Sequence, residues 1–164
     1  MNIFLTTDTH FSHDKMIEYC GRPEGFENLI VKGFQVLRPD DLLIHLGDIC
    51  IGKDSEQHAR YIQPIVCKKI LVKGNHDKKS NSWYLSHGWD FVCDSFSDNL
   101  FGKRILFSHR PHEDIGEFDI NIHGHFHNAE FRKAEVEFEF PLTEKHRLIA
   151  LEYTSYKLVN LKDI

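Results

Sequence analysis

Residues 69–77 read Lys-Ile-Leu-Val-Lys-Gly-Asn-His-Asp. The stretch from Lys69 to Lys73 is apolar at its centre and too short for a helix, so it reads as a buried strand. It breaks at Gly74 and delivers an amide, an imidazole and a carboxylate in succession: Asn75, His76 and Asp77. The pattern recurs on either side. Residues 2–6 (Asn-Ile-Phe-Leu-Thr) read as a buried strand running into Asp8-Thr9-His10, and residues 41–46 (Asp-Leu-Leu-Ile-His-Leu) as another running into Gly47-Asp48. Further on, 104–108 ends in Ser108-His109, and 119–122 leads into His123-Gly124-His125-Phe126-His127. Five predicted strands thus carry metal-type ligands at their C-terminal ends, the edge of an open α/β sheet where ligands bind.

The segments between these strands set the fold class. Residues 26–37 place Phe26, Ile30, Phe34 and Leu37 at helical spacing and stop before Arg38-Pro39. Residues 54–63 open on an Asp-Ser cap signal and read as a helix ending near Pro64. Alternation of strand and helix implies right-handed crossovers and a parallel sheet. The second half changes character, with short apolar segments at 90–93, 95–101, 104–108 and 119–122, and a hairpin turn at Gly102-Lys103. Later runs at 147–152 and 156–161 read as further strands. Residues 135–140 alternate Glu-Val-Glu-Phe-Glu-Phe, the period of a solvated edge strand. The expectation is an α/β protein of two sheets packed face to face with helices outside, one domain over residues 1–164.

Composition narrows the function. The chain has 164 residues, 41% hydrophobic and 27% charged, which excludes disordered, collagen-like and coiled-coil readings. No apolar run has the length of a membrane span. The opening Met-Asn-Ile-Phe-Leu-Thr-Thr-Asp has no basic leader, so the expected location is cytoplasmic. A net charge of −5 disfavours long nucleic acid as a partner. Cys20, Cys50, Cys67 and Cys93 form no C-x-x-C pair and read as reduced thiols. The odd number is 12 histidines, most of them beside Asp, Asn or Gly.

Carboxylate, imidazole and amide oxygen suit borderline to hard divalent metals, and no thiolate is in the set. Asp8, Asp48, Asn75 and four histidines are too many ligands for one tetrahedral ion. They suit two ions sharing a bridge, about 3.5–4 Å apart, which polarise a phosphoryl group and lower the pKa of bound water to about 7.

The ordered set Asp8-Thr9-His10, Gly47-Asp48, Gly74-Asn75-His76-Asp77, His109, Gly124-His125-Phe126-His127 resembles the calcineurin-like metallophosphoesterase superfamily. Asp-Thr-His-Phe-Ser-His at 8–13, followed by Tyr-Cys-Gly-Arg-Pro at 19–23, is similar to a small bacterial and phage subgroup without extra domains. The resemblance implies a four-layer α-β-β-α sandwich of two mixed sheets. It implies one metal on Asp8, His10, Asp48 and His127, and a second on Asp48, Asn75, His109 and His125. His76 would contact the phosphoryl oxygens and help protonate the leaving group, and Asp77 would orient His76. Manganese is the expected metal, with iron, zinc, nickel or cobalt also suited.

Several residues carry two readings. His13 and Arg22 follow the first motif on loops that could overhang the metals. Arg22 either holds a substrate phosphate or is a surface residue before Pro23. Arg110 stands where relatives of the subgroup often carry tyrosine and is a candidate substrate contact; Ser12 stands where they more often carry glycine. His123 is expected to support the site or pack beneath it, and His45 to be a satisfied core histidine. His58, His87 and His146 read as surface or loop residues. The functional expectation is a metal-dependent hydrolase of a small phosphate ester. A phosphodiesterase or nuclease of the same superfamily is the alternative, and a non-catalytic binding module on this fold is the rival from another class.

Overall fold

The computed structural model describes residues 1–128 and 140–164, so most of the alternating stretch at 135–140 lies outside the described residues. In chain order the elements are β1 (Ile3–Thr6), α1 (Met16–Cys20), α2 (Phe26–Phe34), β2 (Leu42–His45) and α3 (Asp54–Gln57), which runs on into a π-helical turn (His58–Ile62). There follow β3 (Lys68–Val72), α4 (Asn81–Ser86), β4 (Phe91–Cys93), β5 (Ser95–Leu100), β6 (Lys103–Ser108), β7 (Ile120–His123), β8 (His146–Leu148), β9 (Val159–Asn160) and a 3₁₀ turn (Leu161–Asp163). They build two mixed sheets, as expected. One has the order β4-β3-β2-β1-β9, parallel except for β9; the other has the order β5-β6-β7-β8, with β5 antiparallel to the rest.

Strand periodicity divides the core in two. Ile3 and Leu5 of β1, Ile44 of β2 and Val72 of β3 meet Ile105 and Phe107 of β6 and Ile120 and Ile122 of β7 between the sheets. The alternate residues, Leu43 and Leu71, turn to the other face, where Met16, Phe26, Ile30, Phe34 and Tyr84 cover them from α1, α2 and α4. Register is what positions the site. Thr6 pairs with His45 and His45 with Leu71, so the three strands end level, and Ser108 pairs with His123 in the other sheet. The polar segments that follow therefore leave the sandwich along one edge.

Some elements differ from expectation. The 54–63 helix is α-helical only to Gln57, and its N-cap is Lys53, whose side chain makes no capping bond. The hairpin turn is centred on Phe101 and Gly102, with φ of 52° and 76°, the left-handed pair that matches strand twist. The 147–152 strand shortens to His146–Leu148 because the chain turns after Ala150, with Tyr153 and Thr154 N–H both bonding its carbonyl. The 156–161 strand shortens to Val159–Asn160, after which Asn160 caps the 3₁₀ turn. The short helices α1 and α4 were not foreseen; α4 opens on Ser80, whose Oγ accepts the Trp83 N–H.

Two histidines belong to the core. His45 is fully buried and satisfied: its Nδ1 accepts the Gly47 N–H at 3.0 Å, so Nε2 carries the proton and donates to Thr9 Oγ1 at 3.0 Å. Burial pushes its pKa down to about 3, keeping it neutral. His58, expected at the surface, is instead buried beside Trp83, Tyr84 and Trp89, with Nδ1 against the Asp54 carbonyl at 2.8 Å. His58 lies on the same face as Tyr61 and Ile62, three and four residues on, and so turns inward with them.

Phe107 tests the sandwich. It is fully buried between the sheets and stacks on Phe96 at 4.7 Å. Phe107→Ala is expected to cost about 3–5 kcal/mol of stability, read as a lower urea midpoint, because the closely packed layers cannot collapse into the void.

Candidate metal centre

The loop after β1 and the loop after β2 run side by side, stitched by backbone bonds from Asp8 N to Gly47 O (2.8 Å), His10 N to Asp48 O (3.1 Å) and Phe11 N to Ile49 O (2.9 Å). Two glycines allow this closeness. Gly47 has φ of 96°, and a Cβ there would lie 2.8 Å from the Val72 carbonyl oxygen; a Cβ on Gly74 would overlap the Asp48 carboxylate. Backbone conformation marks the same residues. Asp8, His10, Asp48, His125 and His127 all have left-handed φ, between 47° and 73°. Such conformations cost about 1–3 kcal/mol each and persist where surrounding contacts over-determine them.

Each carboxylate is anchored by one oxygen and presents the other. Asp8 Oδ2 accepts from Thr7 Oγ1 at 2.6 Å and from His125 N at 2.9 Å. Its Oδ1 is buried, has no hydrogen-bond partner, and lies 3.5 Å from His127 Nε2 and 3.7 Å from His10 Nε2. Asp48 Oδ1 accepts the His76 N–H at 2.8 Å. Its Oδ2 lies 3.3 Å from His109 Nε2, 3.8 Å from His10 Nε2 and 3.9 Å from His76 Nε2. Among the described residues, two groups with ligand-like spacing form around these carboxylates, Asp8, His10 and His127, and Asp48, His109 and His125; a third, Cys20, His127 and Glu152, lies behind them. Asn75 joins the second, with Oδ1 3.1 Å from His109 Nε2, itself 3.1 Å from His125 Nδ1.

These donors fit divalent cations. His109 Nδ1 bonds the Leu46 carbonyl at 2.7 Å and so carries the proton, leaving the Nε2 lone pair to the cluster. Both nitrogens of His10 are buried without partners. Electron-pair donors packed this closely away from water repel unless a cation or proton lies among them. Their pKa values show that tension. Burial pulls His10 down to about 4, and burial with the charge of His109 does the same to His125. Burial opposes protonation of His109 and His127 too, but their neighbours outweigh it: Asp48 and Asp8 lift His109 to about 9, and Asp8, Cys20 and Glu152, in that order, lift His127 to about 10.

The other expected site residues fall in different places. The His76 side chain is 46% exposed. It lines a depression of about 250 Å³ together with His10, His13, Asp48, Asn75, His125 and His127. Asn75 also borders a larger cleft of about 570 Å³, lined by Lys73, His109, Arg110 and His112. Asp77 does not face His76. Its carboxylate accepts three backbone N–H groups, from Asp48 (2.7 Å), Gly74 (2.8 Å) and Ile49 (3.2 Å), and staples the third ligand loop to the second. Burial raises its pKa to about 6 against the pull of those donors. Arg22 is neither at the surface nor directed at open solvent; it is 1% exposed, with its guanidinium bonded to Glu152, Thr9 and Asp8 and within 3.4 Å of His127 Nδ1. His123 is buried, bonded to the Gly124 carbonyl and outside both ligand groups. Glu152 was not foreseen. It stands beside His127 only because the chain turns where a strand was expected, and no motif marks it.

The chain is a metal-dependent phosphoric ester hydrolase. It belongs to the calcineurin-like phosphoesterase family, whose model matches residues 1–150. A protein of unknown function from Aquifex aeolicus has a similar structure, with a TM-score of 0.75 and 29% identity, covering 99% of this chain and 96% of that one. An uncharacterized protein of Methanocaldococcus jannaschii is 28% identical over 173 residues, 97% of this chain and 86% of its own length. A novel archaeal phosphodiesterase shares the fold at a TM-score of 0.53 and 18% identity, over 92% of this chain and 82% of its own. No helix among the described residues is long and apolar enough to cross a membrane.

The close approach of Gly74 to Asp48 yields a prediction. A methyl group at residue 74 displaces the carboxylate that faces both ligand groups. Gly74→Ala is expected to weaken divalent-cation binding by about 10–100-fold, the usual effect of disturbing a ligand's support, while the far-ultraviolet circular dichroism stays that of the parent. Parent-like affinity in a calorimetric titration would show that Asp48 needs no such approach.

Proposed function

We propose that this protein is a dinuclear phosphoesterase that hydrolyses a small phosphate ester in the cytoplasm, with residues 1–164 acting as one domain. One ion would be held by Asp8, His10, Asp48 and His127, the other by Asp48, Asn75, His109 and His125. The observation that carries this reading is Asp48 Oδ2, which faces His10 of one group at 3.8 Å and His109 of the other at 3.3 Å. Manganese is the proposed ion; iron, zinc, nickel and cobalt suit the same donors. Bound there, the two ions would polarise the phosphoryl group and lower the pKa of coordinated water to about 7.

The chain's own groups supply orientation and the proton. His76 is anchored through its backbone N–H on Asp48 Oδ1, which leaves its imidazole at the mouth of the depression. There it donates a proton to the departing oxygen. Asp77 serves this step through the backbone, by holding the 74–77 turn against residues 48 and 49. His13 on one side and Arg110 on the other are proposed to contact the substrate, since they line the two hollows that meet at Asn75. That two-sided opening also favours a second reading, hydrolysis of a diester, whose two substituents would occupy the two hollows. The four cysteines are free thiols, which suits a reducing compartment. The acidic net charge of −5 argues against long nucleic acid as the partner.

The test compares p-nitrophenyl phosphate with its bis ester in manganese, before and after chelation. Activity should vanish with the metal and return on its replacement, and the preferred ester separates the two readings. His76→Ala should keep both ions yet lose about 10²–10⁴-fold in turnover, more for an alkyl ester than for a p-nitrophenyl ester, whose leaving group needs little protonation. Equal losses for both esters would remove the acid role from His76.

A further inference from the structure

We propose that Glu152, held by Arg22, is the positioning residue that presents His127 to the metal centre; this rests on the dinuclear reading above. His127 turns its two ring nitrogens to two carboxylates. Nε2 faces Asp8 Oδ1 at 3.5 Å, and Nδ1 lies 3.4 Å from both Glu152 Oε1 and Arg22 Nη2; the guanidinium can only donate and its Nη2 is already bonded to the Asp8 carbonyl at 2.8 Å, so Glu152 is the acceptor within reach. A neutral imidazole that ligates through Nε2 carries its proton on Nδ1 and needs an acceptor there. Glu152 is the carboxylate at that position.

Arg22 makes the arrangement rigid. Its Nε donates to the same Glu152 oxygen at 2.8 Å, its Nη2 to the Asp8 carbonyl at 2.8 Å, and its Nη1 to the Thr9 carbonyl at 3.1 Å. One buried guanidinium therefore ties the acceptor of His127 to the backbone that carries Asp8. It also lies over the Phe26 ring at 5.0 Å, where α2 packs on the sheet. Cys20, His127 and Glu152 have ligand-like spacing, yet they do not form a third metal site. The guanidinium already neutralises Glu152 from 2.8 Å, and a divalent ion beside it would be repelled.

The experiment titrates manganese into the full chain and into Glu152→Ala and Glu152→Gln, reading the metal retained against a graded chelator. The expected result is a loss of about 10–100-fold in affinity for one of two ions in Glu152→Ala, with the other unchanged. Glu152→Gln should recover part of the loss, because its amide oxygen still accepts the Nδ1 proton. Parent-like retention of both ions in Glu152→Ala, or equal weakening of both, would overturn the proposal. A parent protein holding a single ion would overturn the dinuclear reading instead, and the positioning role then stands or falls on whether Glu152→Ala weakens that ion. Should Glu152→Ala not fold, long-range proton–nitrogen correlation spectra of the zinc-loaded parent decide the matter. His127 should coordinate through Nε2 with a slowly exchanging proton on Nδ1; coordination through Nδ1 would overturn the proposal.

Discussion

Two buried carboxylates, Asp8 and Asp48, each tied down by one oxygen and open at the other, govern the shape of this molecule's active edge. The anchors are near neighbours in space: the Thr7 hydroxyl and His125 amide for Asp8, the His76 amide for Asp48. The open oxygens then have no freedom to swing away from the histidines that surround them. Holding acids this way needs backbone in left-handed conformations, loops close enough to exclude a Cβ, and strands that end level. Each of those features is costly or demanding alone, and all of them occur together at this edge.

The sandwich explains how the chain sustains that strain. Parallel strands buried on both faces give a stiff platform. The helices on one face and the four-stranded sheet on the other keep the strand ends from relaxing. Support beneath the ligands is polar. His45 links the Gly47 amide to Thr9, Asp77 gathers three amides from two loops, and Arg22 gathers two carbonyls and a carboxylate. The ligands face the opening, and the residues that fix them lie behind.

Much of this was legible in the sequence, for identifiable reasons. Short apolar runs ending in Asp, Asn and His gave the strands, their common edge and the ligand types, because strand length and burial pattern are local properties. The helix at 26–34 showed in the spacing of Phe26, Ile30 and Phe34. What escaped depends on where the chain bends. Arg22 and Asp77 have the composition of functional residues, yet their side chains turn inward to backbone groups that no local pattern reveals. Glu152 reaches His127 across 25 residues of sequence through an unforeseen turn after Ala150. His58 shares the helix face of Tyr61 and Ile62, so its burial follows from ordinary i, i+3, i+4 spacing that its polar side chain obscured.

The central claim is that Asp48 joins two ligand groups into one centre. Crystals grown in manganese and measured at the manganese absorption edge test it directly, because anomalous scattering locates each ion independently of the protein. The account predicts two peaks about 3.5–4 Å apart on either side of the Asp48 carboxylate, one against Asp8, His10 and His127 and the other against Asn75, His109 and His125. A single peak, or two peaks that do not share Asp48, would contradict it.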